Sequence, residues 1–193
     1  LRRGPRAPVA AVQQGATDDI TALVANHAAE AARRTSERWA GDPDGALLIA
    51  SHPELWSCAP NLEAATRGAV DAWIAAIARD VAERGARRRG PARLAALGVN
   101  AAAVTLMLVT FSYTGGISGA EAGIAAATAF LNQKLLNAIF GEAAVQEMMT
   151  QARRTLTEAL EALMAEEQRR FEEPLGDVAS RAQLADALRS ITV

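Results

Sequence analysis

Few side chains in this chain can act as nucleophiles, bases or soft metal ligands. His52, Ser57 and Cys58 lie close together in sequence, the residue types that a Ser–His or Cys–His hydrolase pairs, and His27 stands on a helical stripe upstream. Nearness along the chain is not a catalytic geometry, because nucleophile and base must also meet within hydrogen-bond reach. The two histidines are far apart, with no acid or cysteine at metal spacing; no Gly-x-Ser-x-Gly elbow is present and no glycine-rich loop follows a strand. Lys134, the only lysine among 20 basic residues, sits between Gln133 and Leu135 in a predicted helix, so the chain has no Gly-Lys-Ser/Thr phosphate loop. The sequence carries no catalytic constellation, no metal site and no cofactor of its own. Its function lies in packing, in membrane contact or in a further domain.

Two other features carry physical chemistry. Arg84, Arg87, Arg88, Arg89 and Arg93 form a basic cluster directly before a long apolar stretch, where arginines are attracted to anionic headgroups by about 1 kcal/mol each. From Leu94 to Tyr113 no charged side chain appears, and about 20 residues is the length a helix needs to cross a hydrocarbon core. Thr114-Gly115-Gly116 breaks that helix, and Ser118 with Glu121 fits a capping box opening a second one, so 94–140 is predicted to be an apolar helical hairpin. Gly115, Gly119, Gly123 and Ala127 recur every four residues and form a small-residue ridge for close helix packing.

Two readings of the hairpin follow. In the first it contacts or enters a membrane through Leu97, Val104, Leu106, Leu108, Val109, Phe111, Ile117, Ile124 and Phe130, with Arg87 to Arg93 and Lys134 at its open ends on the cytoplasmic side. In the second it is the buried centre of a soluble bundle, because much of its apolar content is alanine and Asn100, Glu121, Asn132, Gln133 and Lys134 interrupt it.

The elements around the hairpin are all predicted to be helical. Half the residues are apolar but only 4 % are aromatic, and alanine dominates, which favours helix throughout. Residues 1–16 read as a flexible arm, rich in Pro, Gly and Arg, in a chain that begins inside a longer protein. From Thr17 to Gly41 a helix is expected with Ile20, Leu23, Val24, His27, Ala28, Ala31 and Trp39 on one face. Gly41 to Gly45 is turn chemistry, and 46–60 is a connector that tucks in Leu55 and Trp56. Asn61 caps a helix burying Leu62, Ala65, Ala69, Trp73, Ile77 and Val81.

After Gly141 a charged helix of about 48 Å is predicted over 142–173, with a seam of Val145, Met149, Ala152, Leu156, Ala159, Leu163 and Glu166. Glu166 and Glu167 are within helical reach of Arg170, and Pro174 with Gly176 should stop the helix before a short terminal one. The expected fold is an all-α, elongated antiparallel bundle, one helical domain over 17–193 with a central hairpin and a stalk-like helix. A net charge of −2 gives no reason to expect nucleic acid, and the single cysteine suits a reducing compartment.

The order LGVN, TGG, SGAEAGIA and QKLLNAIFG, followed by the helix RRTLTEALEALMAEEQRRF, resembles the C-terminal helical half of bacterial P-loop GTPases related to bacterial dynamin-like proteins. The resemblance spans Asn61 to Phe171. It implies an upstream domain binding GTP and Mg, coupled by helices to a membrane, in a protein that is cytoplasmic and membrane-associated. The phosphate-binding loop and base-reading motif of such GTPases are absent, so the chain would be the helical portion without its motor. A protein-interaction or self-association module, including a homo-oligomer, and a pore-forming or toxin-type helical domain are the alternative expectations.

Overall fold

A computed structural model describes residues 7–87, 101–114 and 124–191, with side chains described over 13–86, 101–112 and 132–176. Among these residues every regular element is helical: α1 (Ala7–Ala40), α2 (Pro43–Ser51), a 3-10 turn (Pro53–Trp56), α3 (Leu62–Arg87), α4 (Ala101–Thr114), α5 (Ile124–Phe140) and α6 (Glu142–Ile191). The all-α expectation holds. By contacts the chain divides into two compact units, one of residues 1–20 with 67–159 and one of 21–66 with 160–193.

In the first unit the sequence pattern translates directly into packing. Val70, Trp73, Ile74, Ile77 and Val81 line the buried face of α3, while Val104, Leu108, Val109 and Phe111 of α4 are buried in the same unit. Leu136, Ile139 and Phe140 of α5 and Val145, Met148, Ala152 and Leu156 of α6 complete the core. Trp73 is both filler and pin: its ring is buried, and its Nε1 donates to the Ala152 carbonyl at 2.8 Å. Gly141 sets the α5–α6 corner. Its φ of 85° is the left-handed conformation that ends a helix at little cost only for glycine. Its N–H donates to the Asn137 carbonyl at 2.8 Å, and its own carbonyl accepts the Val145 N–H at 3.1 Å, so one residue closes α5 and opens α6.

At the edge of this unit Asp18 accepts from Arg67 Nη1 at 2.6 Å and from Gln14 Nε2 at 3.2 Å. The Arg67 guanidinium, and after it the Gln14 amide, hold the Asp18 carboxyl below its ordinary value of 3.8. Because the folded pKa is depressed, the pair's contribution is complete above the unfolded value and disappears as pH falls through the lower folded one. An Arg67→Leu variant is therefore expected to melt below wild type at neutral pH and to converge with it in acid. Melts followed by circular dichroism across pH check this, and a gap independent of pH excludes the linkage.

The second unit departs further from expectation. The run Asp42-Pro43-Asp44-Gly45 opens a helix: the Asp42 side chain accepts from the N–H groups of Asp44 (3.0 Å) and Gly45 (3.2 Å), and Pro43 takes the first helical position. The expected connector is thus α2 and a 3-10 turn, with Ile49 and Leu55 buried but Trp56 exposed. Gly45 is required by close approach, since a Cβ there would lie 2.3 Å from the Trp39 carbonyl oxygen. That oxygen belongs to backbone and cannot swing aside. Gly45→Ala is expected to cost about 1–3 kcal/mol in chemical denaturation; an unchanged midpoint would mean the α1–α2 corner opens freely.

Two helix boundaries also differ. α1 is already helical at Ala7, the first described residue, rather than from Thr17, because the alanines of this run are strong helix formers. α6 continues through Pro174 to Ile191 instead of stopping at Glu173. A proline inside a helix forfeits one backbone bond and crowds the preceding turn, at about 3 kcal/mol, and here the residue is buried.

Buried positions on α1 shift for a related reason. Ala16, Ile20, Val24, Ala28, Ala32 and Ser36 are buried in steps of four, each step advancing the line by about 40° from a straight stripe. Leu23, His27 and Ala31, expected inside, face solvent. Ile20, Val24 and Ala28 are buried as expected, and from Ala28 to Ser36 small side chains define the contact line.

Candidate functional site

Of the hairpin residues expected at a membrane, some are described and others are not. Val104, Leu108, Val109 and Phe111 are buried within the first unit, with Val104 and Val109 at 0 % exposure, and Leu106 is half-buried. Ile124, Phe130 and Ala127 lie on α5, their side chains outside the described set, while Leu97, Ile117, Gly115, Gly119 and Gly123 lie outside the described residues. The hairpin turn and the Ser118–Glu121 capping box lie outside them too.

Of the arginines expected to meet anionic lipid, Arg84 has its side chain described. Its Nε donates to Asp80 at 2.7 Å, and its two terminal nitrogens grip the Glu147 carboxylate, each at 3.1 Å. Glu147, then Asp80, push its pKa further above the ordinary arginine value. Arg84 thus ties α3 to α6. Arg87 ends α3, its side chain outside the described set, and Arg88, Arg89 and Arg93 lie outside the described residues.

Of the residues with nucleophilic chemistry, Cys58 is a free, half-buried thiol. His52 Nδ1 lies 3.0 Å from Glu54 Oε1, and the Ser57 carbonyl accepts from Arg170. Among the described residues no three His, Cys, Asp or Glu side chains gather as a metal site.

Two polar devices show what residue types alone did not: the carbonyl contacts of Arg153, and the Ala59 partner of the Glu167–Arg170 pair that helical spacing allowed. The Arg153 guanidinium reaches the end of α4, Nε to the Ser112 carbonyl at 3.2 Å and Nη2 to the Phe111 carbonyl at 3.3 Å. Arg153 thereby ties α6 to α4. The second device lies in the second unit. Glu167, not Glu166, is the buried acid of α6; Glu166 faces solvent and pairs with Arg169. Both Glu167 oxygens accept the Ala59 N–H, at 3.2 Å (Oε1) and 3.1 Å (Oε2), and Oε2 also accepts from Arg170 Nη1 at 2.8 Å. Arg170 then reaches on to the carbonyls of Ser57 (3.2 Å) and Glu54 (3.0 Å). One ion pair thereby clasps the 54–59 segment onto α6. Ser36 Oγ adds a bond to the Leu55 carbonyl at 2.8 Å from α1.

Beside this clasp is a cavity of about 360 Å³. On the α1 side, Ala28, Ala31, Ala32 and Thr35 leave the space that larger side chains would fill. The α6 side brings Met164, Glu167, Gln168 and Phe171, with the Phe171 ring set edge-on to Trp39 at 5.7 Å. The volume falls in the range of small-molecule sites. The chain matches no protein-family model, no curated protein and no solved structure.

Proposed function

We propose that this chain is a helical coupling module, the helical portion of a dynamin-like or related GTPase, in which the apolar hairpin acts as a packed core and lipid contact falls to the basic segment before it. The observation that carries this reading is the burial of Val104, Leu108, Val109, Leu136 and Ile139 against protein. An inserted hairpin turns such side chains to acyl chains. No described helix is long and apolar enough to cross a membrane. Parentage by a GTPase rests on the sequence resemblance, and the unbroken run of α6 from Glu142 to Ile191 suits a transmitting element.

Co-sedimentation of the purified chain with neutral and anionic vesicles tests the lipid part. Binding is expected to anionic vesicles only and to fall as salt is raised, because screening weakens exposed charges. Salt-resistant binding to neutral vesicles would mean that the hairpin inserts. In the parent protein, a GTP analogue is expected to alter amide exchange along α6, and identical exchange with and without it rules out coupling.

A self-association role has one observation in its favour. Leu23, Leu47, Trp56 and Leu175, the large apolar side chains exposed among the described residues, all belong to the second unit. Sedimentation velocity over a hundredfold range of concentration decides whether this chain pairs with itself.

A further inference from the structure

We propose that the cavity of the second unit binds a small apolar molecule bearing one hydrogen-bond donor, such as an aromatic or alicyclic alcohol. Its volume of about 360 Å³ is more than twice that of an apolar cavity of about 150 Å³ that takes benzene. A body of roughly 10 to 14 heavy atoms fits.

The walls select for polarity. Ala28 and Ala32 offer methyl groups only, Met164 is an adaptable thioether, and Phe171 is an aromatic face backed by Trp39. Transfer of an apolar body from water onto these surfaces is favourable.

Charge selects the head group. Glu167 stands in the wall, and Arg170 already balances it at 2.8 Å, so the site has no unmatched charge to demand a cation. The balanced pair gives an anion no net attraction either. Glu167 Oε2 serves both Arg170 and Ala59, whereas Oε1 accepts only the Ala59 N–H at 3.2 Å. A carboxylate has about four lone-pair sites, so Oε1 keeps room for one neutral donor.

The test is a titration of the purified chain with 2-naphthol and with naphthalene by calorimetry and probe fluorescence. Saturable one-site binding of 2-naphthol is expected, with Kd on the order of 10–100 μM for a ligand of this size. Naphthalene, lacking the donor, should bind about tenfold more weakly. Ala28→Leu fills the cavity and Ala31→Leu fills it from the exposed rim. Each is expected to weaken 2-naphthol at least about tenfold, with circular dichroism and Tm preserved. Leu47→Ser, on exposed apolar surface outside the cavity, should leave binding unchanged. No saturable binding to wild type, full binding by both filled variants while folded, or loss of binding in Leu47→Ser overturns the proposal. Equal affinities for the two probes overturn the part given to Glu167.

Discussion

An aspartate at position 104 is expected to unfold the first unit outright. Val104 is fully enclosed, and Leu108, one turn further along α4, is nearly so. No described residue of α4 is charged, so a carboxylate arriving there meets neither water nor a cation on its own helix. Even if it takes up a proton, a buried polar group without a partner costs on the order of 5 kcal/mol, comparable to the whole stability of many domains. Leu108→Asp should behave in the same way, while Val104→Ala, which only removes methyl groups, should fold and lose roughly 1–3 kcal/mol. Far-UV circular dichroism and urea unfolding distinguish the cases. A membrane-facing α4 makes the opposite forecast: Val104→Asp would stay folded and helical and would lose vesicle binding. That outcome overturns the packing reading.

What was legible in the sequence was the existence of the helices and the face of those built from bulky residues. Trp73, Ile77 and Val81 repeat at helical spacing and are all buried, because large apolar groups leave a helix few ways to turn. α1 was harder. Its buried line runs through Ala28, Ala32 and Ser36, residues equally at home in water, so hydropathy favoured Leu23 and His27, which are exposed. Alanine permits close approach without requiring it, and only the neighbouring elements decide which alanines are covered.

The apolar hairpin shows a different limit. A run of 14 residues such as AAAVTLMLVTFSYT has the same composition whether acyl chains or other helices cover it, because both solvents are apolar. Composition gives the burial and not the partner. Proline misled for a physical reason as well: its rule concerns the cost of one lost bond, and a 50-residue helix with its proline buried absorbs that cost. The α2 start, by contrast, was legible in principle, since Asp followed by Pro is an N-cap and first-turn pair as well as a turn signal.

Glu167 is the position where one substitution should cost the second unit most. Its carboxylate closes three bonds at once, two to the Ala59 N–H and one to Arg170, with the side chain largely withdrawn from water. Glu167→Ala leaves the Ala59 N–H without its acceptor and Arg170 without its counter-ion, although Arg170 still reaches the carbonyls of Ser57 and Glu54. Breaking one side of a buried ion pair costs about 3–5 kcal/mol, most of it desolvation left uncompensated rather than attraction lost. The double variant Glu167→Ala/Arg170→Met removes the stranded charge and should recover part of the loss, the signature of a coupled pair. Glu166→Ala, one residue earlier on the exposed face, should shift the midpoint by less than about 0.5 kcal/mol. Urea unfolding of the three variants checks the ranking. Hydrogen exchange at the Ala59 amide checks the cause, since that proton should lose protection in Glu167→Ala and keep it in Glu166→Ala. Equal losses at positions 166 and 167 would mean that the clasp does not hold the 54–59 segment, and that the connector is fixed instead by Leu55 and its bond to Ser36.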